Sequence, residues 1–342
     1  MPQKPLIALS MGCPAGIGPE LAIKLVADPR IAKIADVVVV GSDAVMKAHA
    51  AMLKLTFKLP VIRPDNVRRD AVSGHLLADV GSSGDERIPL GKPSGVAGDL
   101  SVACMEAAFA LVKKGVADAL VTGPINKQSV GLAGFKYAGH TDFLAERTGA
   151  KDIVMMLVGG GLRVGLVTHH IAVADVPKSL TTPGILAALR IMNTDMKRFF
   201  RIEHPRIAVA GLNPHASDGG RFGSEEFRII EPAIAQAKAE GITCDGPHPP
   251  DTVFVPKVRV HYDAILAMYH DQGLIPLKML AFGSAVNVTL GLPIIRTSVD
   301  HGTAYDIVGK GVASTDSLVE AVKLAVEIVG RIGGSTKAGK AL

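Results

Sequence analysis

The sequence contains no tryptophan, and aromatic residues make up only 4% of its 342 residues. Binding of single-stranded nucleic acid relies on aromatic stacking platforms, so their scarcity argues against that class. The three cysteines, Cys13, Cys104 and Cys244, are odd in number, widely spaced and without a CxxC pair. They outline neither a disulfide framework nor a zinc finger, and reduced thiols in a reducing compartment are expected. No apolar run is read as approaching the ~18 residues of a membrane span. Met1-Pro2-Gln3-Lys4 does not open onto the apolar region of a signal peptide, so a soluble, cytoplasmic protein without a membrane partner is expected. The net charge is +5 and the pI about 9.0, but the basic residues are dispersed. A modest positive field of this kind suits an anionic small substrate, and no nucleic-acid partner is expected.

What is present points to a folded α/β chain. Hydrophobic residues reach 48% against 20% charged, enough for a sizeable core, and the length favours two domains or one large α/β unit. Short apolar runs, many of them rich in β-branched residues, read as buried strands: 6–11, 37–40, 117–122, 153–158, 162–168, 207–210 and 264–268. Amphipathic stretches of helical spacing lie between them at 19–27, 100–114, 183–200, 225–240 and 317–329. This alternation predicts a largely parallel sheet. No internal repeat is visible. The Gly- and Ser-rich stretch 81–98 reads as a lid, an interdomain loop or a plain connection, and 333–342 as a flexible tail.

Gly12-Cys13-Pro14-Ala15-Gly16-Ile17-Gly18-Pro19-Glu20 follows the first strand and opens a helix. Free backbone N–H groups there suit an anion, yet the spacing matches neither GxGxxG nor GxxxxGK[ST], which leaves the Rossmann and NTPase fingerprints unsupported. A tight turn with Pro19 at the first helical position explains it equally well. Of eleven histidines, three stand at strand ends: His170 after His169, His215 in Gly211-Leu212-Asn213-Pro214-His215, and His270 in Met268-Tyr269-His270-Asp271-Gln272-Gly273. Three converging imidazoles would bind a divalent transition metal and leave positions open for substrate; separate, satisfied polar histidines are the plainer alternative. Gly139-His140-Thr141-Asp142, with Thr122 to Lys127 before it, offers hydroxyl, imidazole and ammonium groups for an anion, although Thr141 or Asp142 could instead cap a helix over 143–148. Lys278, Asn287 and Arg296 alternate with strand-like segments, and a buried cation there needs an anionic ligand or an internal salt bridge.

These segments, with Pro250-Asp251-Thr252, Asn287 to Pro293 and Arg296 to Ala304, occur in one order that resembles the 4-hydroxythreonine-4-phosphate dehydrogenase family of pyridoxal phosphate biosynthesis, from about Leu6 to Ile328. The resemblance implies an α/β architecture of two domains like that of isocitrate and isopropylmalate dehydrogenases, with the active site in the interdomain cleft. Residues 1–124 with 281–342 are expected to form the nucleotide-side domain, and 125–280 a central domain carrying the metal ligands and a dimer interface.

Carried over position by position, the resemblance implies His170, His215 and His270 as metal ligands, the third supplied by the partner subunit of a homodimer. It implies His140, Thr141, Lys278, Asn287 and Arg296 as substrate contacts, and Asp251 as an acidic residue near the metal. The stretch from His301, Gly302, Thr303 and Ala304 through Asp306 to Gly311 is similar to the adenosine-clasping loop of decarboxylating dehydrogenases, which implies NAD, with NADP as an option. The metal is expected to be zinc, cobalt or magnesium. The implied reaction is oxidation of 4-phosphooxy-L-threonine to a β-keto acid, which loses carbon dioxide to give 3-amino-2-oxopropyl phosphate, with Lys278 and Asp251 in catalytic roles. A paralogous branch oxidising D-threonate or D-erythronate 4-phosphate is the alternative; one oxidising aromatic dihydrodiols fits the phosphate-side residues less well. The chain departs from the family at Cys13, where an acidic residue is usual.

Overall fold

Runs of Val, Ile, Leu and Ala that can bury both faces form the strands. In the computed structural model, which describes residues 3–81, 88–137 and 139–338, the chain forms two compact units, Met1–Thr148 with Pro293–Leu342 and Gly149–Leu292. Segments 125–148 and 281–292, which the sequence reading placed on the opposite sides of its boundaries, group with the first and second unit respectively.

The first unit is built on β1 (Leu6–Ser10), β2 (Asp36–Gly41), β3 (Val61–Ile62), β4 (Leu76–Asp79) and β5 (Ala119–Thr122). The second carries β6 (Val154–Gly159), β7 (Leu162–Leu166), β8 (Ile207–Ala210), β9 (Cys244–His248), β10 (Ala264–Ala267) and β11 (Val286–Leu290). The chain then returns to the first unit with β12 (Arg296–Val299). Within the first unit the order is β3-β4-β2-β1-β5-β12 and every pairing is parallel. Ile7, Val38 and Leu120 are wholly buried in this sheet, and burying a side chain of that size contributes about 1.5–3 kcal/mol.

In the second unit the order is β11-β6-β7-β10-β8-β9, with β6 antiparallel to both neighbours. The reversal comes from Gly160 and Gly161, whose φ values of +56° and +76° make the two-residue turn that only glycine adopts readily. The sheet is therefore mixed in this unit.

Two further expectations need correction. The helix Gly95–Lys113 is long and apolar enough to cross a membrane by length and composition, against the reading that no segment was. More than half of its apolar window is buried, with Leu100, Cys104, Met105 and Ala108 inside the first unit, as in the core helix of a globular protein. The last helix runs Asp316–Ala338, into the stretch read as a flexible tail: Gly330, Gly333 and Gly334 lower helix propensity without ending the helix. Of the stretch 81–98, residues 82–87 lie outside the described residues, and Gly95 already opens a helix capped by the Ser94 hydroxyl.

Candidate active site

In the first unit, Arg296 begins β12 with 3% of its surface exposed, and its Nη2 donates to Thr122 Oγ1 at the end of β5, 2.9 Å away. The parallel β5–β12 register, which sets Ser298 against Thr122, brings the two strands together. Burial pulls the Arg296 pKa down to about 10, so the guanidinium still carries its charge at neutral pH. His140, first residue of the helix His140–Thr148, is held neutral: burial, and then the nearby Arg296 charge, push its pKa down to about 3. Its Nε2 is buried without a hydrogen-bond partner among the described residues. A buried cation beside a neutral imidazole with an unspent nitrogen suits an anionic, hydrogen-bonding group. Thr141 and the exposed Asp142 lie inside the first turn, so neither caps this helix.

The glycine-rich turn resolves toward packing. Gly12 has φ +80°, and a Cβ there would lie 2.5 Å from the Pro124 carbonyl oxygen, so close backbone approach requires the glycine. Pro19 sits in the first turn of Gly18–Val26. This turn is laced to the 301–313 segment: Ile17 N–H donates to the Thr303 carbonyl at 3.0 Å, and Lys24 Nζ donates to the Gly311 and Ala313 carbonyls at 2.9 Å each. Ala304 has a left-handed φ of +45°, His301, Gly302 and Asp306 are exposed, and the space around Gly302 is open. The Tyr305 hydroxyl lies 3.3 Å from both Cys13 Sγ and Ser129 Oγ. The residue that departs from the family pattern is thus a buried thiol touching the candidate nucleotide loop.

In the second unit, the strand-end loops bring His170 and His270 together. Thr168, just past β7, donates to the Met268 carbonyl through its backbone N–H at 3.1 Å and its hydroxyl at 2.8 Å, joining the two loops. The two imidazole centres lie 5.8 Å apart at 39° and line one small cavity of about 230 Å³. As neutral imidazole donors beyond strand ends, both histidines are chemically suited to a divalent transition metal. His270 Nδ1 lies 2.6 Å from Asp271 Oδ1, a contact that orients the ring.

His215 lies in the turn Pro214–Asp218 at a left-handed φ of +53°. Among the described residues, no three His, Cys, Asp or Glu side chains are grouped closely enough to hold an ion. Lys278 lies about two turns beyond His270 on the helix His270–Ala281 and lines an open groove of about 420 Å³ with Ile275, Met279 and Phe282. Asn287 is on β11, its Oδ1 buried without a hydrogen-bond partner among the described residues. Asp251 is exposed in the turn after β9. The sequence reading passed over the roles of Asp271, Thr168 and Gln272; Asp271 and Gln272 stood in the quoted His270 motif, where a carboxylate beside a candidate ligand was the available signal.

Comparison with known proteins places the chain. The family model described as "Pyridoxal phosphate biosynthetic protein PdxA" matches residues 33–325. A curated relative from Geobacter metallireducens named 4-hydroxythreonine-4-phosphate dehydrogenase is 46% identical over 334 residues, covering 97% of each chain. One of the same name from Chromobacterium violaceum is 44% identical, covering 97% of this chain and 99% of the relative. The crystal structure of the Klebsiella pneumoniae protein of that name superposes with a TM-score of 0.86 at 40% identity, covering 95% of this chain and 98% of that one. A terephthalate 1,2-cis-dihydrodiol dehydrogenase from Burkholderia xenovorans is more distant, with a TM-score of 0.64 at 29% identity and coverage of 95% and 98%. With matches of this identity over nearly its whole length, the chain is an α/β oxidoreductase that belongs to the PdxA family of pyridoxal phosphate biosynthetic proteins.

Proposed function

We propose that this protein is a soluble, cytoplasmic, NAD- and metal-dependent dehydrogenase, active as a homodimer, that oxidises 4-phosphooxy-L-threonine to a β-keto acid and releases 3-amino-2-oxopropyl phosphate after decarboxylation. The observation that carries this reading is near-full-length identity with relatives bearing the dehydrogenase name, together with a desolvated Arg296–His140 pair suited to an anionic substrate. His170, His215 and His270 would hold the metal, the third from the partner subunit, and the backbone around His301, Gly302, Thr303, Ala304 and Asp306 would hold the cofactor. A divalent metal held there would supply a Lewis acid that lowers the pKa of the substrate hydroxyl, and a nicotinamide held there would supply a hydride acceptor.

The chain's own groups then have defined tasks. Arg296 keeps its charge in a buried setting and orients an anionic group through two-pronged donation, while His140, uncharged, supplies a neutral hydrogen-bonding nitrogen. Thr141 and Asn287 add polar contacts that fix the substrate's orientation. The Lys278 ammonium stabilises the negative charge that develops as the carboxylate leaves. Asp251 acts as an acidic residue of the metal side.

The test is NADH formation by purified protein given NAD and a divalent metal, with 4-phosphooxy-threonine, D-threonate 4-phosphate and D-erythronate 4-phosphate in parallel, each with a chelator control. Chelator-sensitive turnover of the amino acid phosphate alone supports the proposal. A preference for either sugar acid phosphate moves the protein to the paralogous reaction.

A further inference from the structure

The turn that carries His215 is built unlike the other histidine loops. Four consecutive non-glycine residues, His215, Ala216, Ser217 and Asp218, have left-handed φ values of 53°, 50°, 67° and 46°. Such a run persists only where its surroundings over-determine it, and strained backbone of this kind clusters at functional sites. What holds the residues before it is a carboxylate. Glu226 is wholly buried; its Oε1 accepts the backbone N–H groups of Leu212 at 2.9 Å and Asn213 at 2.7 Å, and its Oε2 accepts Asn213 Nδ2 at 2.9 Å.

Glu226 reaches this position from the first residue of a single π-helical turn, Glu226–Ile230, that leads into the helix Glu231–Ala239. Such bulges recur where a helix must aim a side chain for function. From the other side, Gln272 Nε2 donates to the Gly211 carbonyl at 2.7 Å and Gln272 Oε1 accepts Met268 N–H at 2.7 Å, tying the same loop to the one that carries His270. A buried carboxylate that spends both oxygens on one loop is expensive to desolvate unless its hydrogen bonds are kept.

We infer that Glu226 is a positioning residue for His215: its carboxylate fixes the Leu212–Asn213 backbone and thereby the place and direction of the His215 imidazole, which tunes divalent-metal affinity without touching the metal. This inference rests on the metal reading above. Outer-shell partners of metal-binding side chains typically govern 10–100-fold in affinity.

The test is cobalt titration of the full-length protein, followed by its visible absorption, for wild type, Glu226→Met, Glu226→Gln, His215→Ala and the double variants. Glu226→Met keeps the side-chain length and removes all three acceptor contacts, so cobalt binding should weaken at least about tenfold. Glu226→Gln keeps one carbonyl for the two backbone N–H groups and should restore affinity to within a few-fold of wild type. In the His215→Ala background neither substitution should weaken cobalt binding further, which a merely structural role would not produce.

Wild-type affinity in Glu226→Met, or the same weakening with and without His215, overturns the inference. If Glu226→Met does not fold, Glu226→Asp, whose shorter side chain cannot reach both N–H groups, takes its place in the cycle with His215→Ala and is read by the same criterion. Wild-type protein that binds no cobalt defeats the metal reading itself. Hydrogen exchange of metal-free protein then decides the positioning role: faster exchange of Leu212 and Asn213 in the Glu226 variants upholds it, and unchanged exchange overturns it.

Discussion

The Arg296 side of the first unit and the histidine side of the second solve the same problem, holding polar groups ready for a ligand, in opposite ways. Arg296 and Thr122 are strand residues, 3% and 1% exposed, placed by sheet register. His170 and His270 sit beyond strand ends and are placed by hydrogen bonds that join loops, such as Thr168 to the Met268 carbonyl. A group placed by the sheet is fixed by the fold and bears the full desolvation cost of its charge. A group placed by loops is less costly to expose and depends on the bonds that shape the loop.

The sharpest way to break this contrast is to remove the buried charge. Arg296→Met should lower kcat/KM by roughly 10³-fold, the loss of a charge-assisted, desolvated contact. The same variant should melt at or above the wild-type temperature, because an apolar chain of similar length no longer bears the cost of burying a charge. A clear fall in Tm would show that Arg296 is held mainly as a structural residue. On the loop side, His170→Ala should lower activity at limiting metal by roughly 10²-fold, partly recovered at high metal concentration, with little change in Tm. Activity that is lost equally at every metal concentration would place His170 outside the metal site.

A smaller effect separates the two sides by pH. His140 has its pKa pushed down to about 3 from a usual 6.5 by burial, then by Arg296. The unfolded chain therefore takes up that proton first as the pH falls. The stability contributed by keeping His140 neutral is present above about pH 6.5 and is lost as the pH drops toward the folded value. The buried His49, with its pKa also lowered by burial, acts in the same direction. His140→Phe should flatten the fall in Tm between about pH 6.5 and pH 5, leaving the slope that His49 and His75, its pKa likewise lowered by burial, contribute. An unchanged slope would mean that the unpartnered His140 nitrogen reaches solvent.

How much of this was legible in the sequence follows from the same physics. Strands 207–210 and 264–268 stand out because two buried faces demand continuous apolar runs, and β8 and β10 lie there with at most a one-residue difference. β9, Cys-Asp-Gly-Pro-His, was invisible: as an edge strand it is exposed enough to carry Asp245, Pro247 and His248. β3 is two residues long, below the reach of any periodicity. His170, His270 and Arg296 were legible as residues, since their types and neighbours drew attention. That His170 lies beside His270, and Arg296 beside Thr122, depends on register and loop bonds among segments 100 and 174 residues apart, which one sequence does not encode locally. Glu226 is the clearest case, since a glutamate in an amphipathic stretch reads as a solvated face, and only the fold buries it.

Tyr305→Phe makes the smallest and most specific probe, because it alters a contact rather than a charge. The Tyr305 hydroxyl joins Cys13 Sγ and Ser129 Oγ, both at 3.3 Å, and burial pushes its pKa up to about 12, so it stays protonated and neutral throughout the working range. Removing it deletes weak, neutral hydrogen bonds worth about 1 kcal/mol together, a Tm decrease of about 2 °C for a chain of this size. If the loop from His301 to Gly311 receives the nucleotide, the freed loop should raise KM for NAD a few-fold while kcat and the KM for the phosphorylated substrate stay near wild type, as expected when only uniform cofactor binding is lost. A change confined to kcat, with KM for NAD untouched, would detach this loop from the cofactor and leave the glycine-rich turn, Cys13 and Tyr305 as one packing unit of the first sheet.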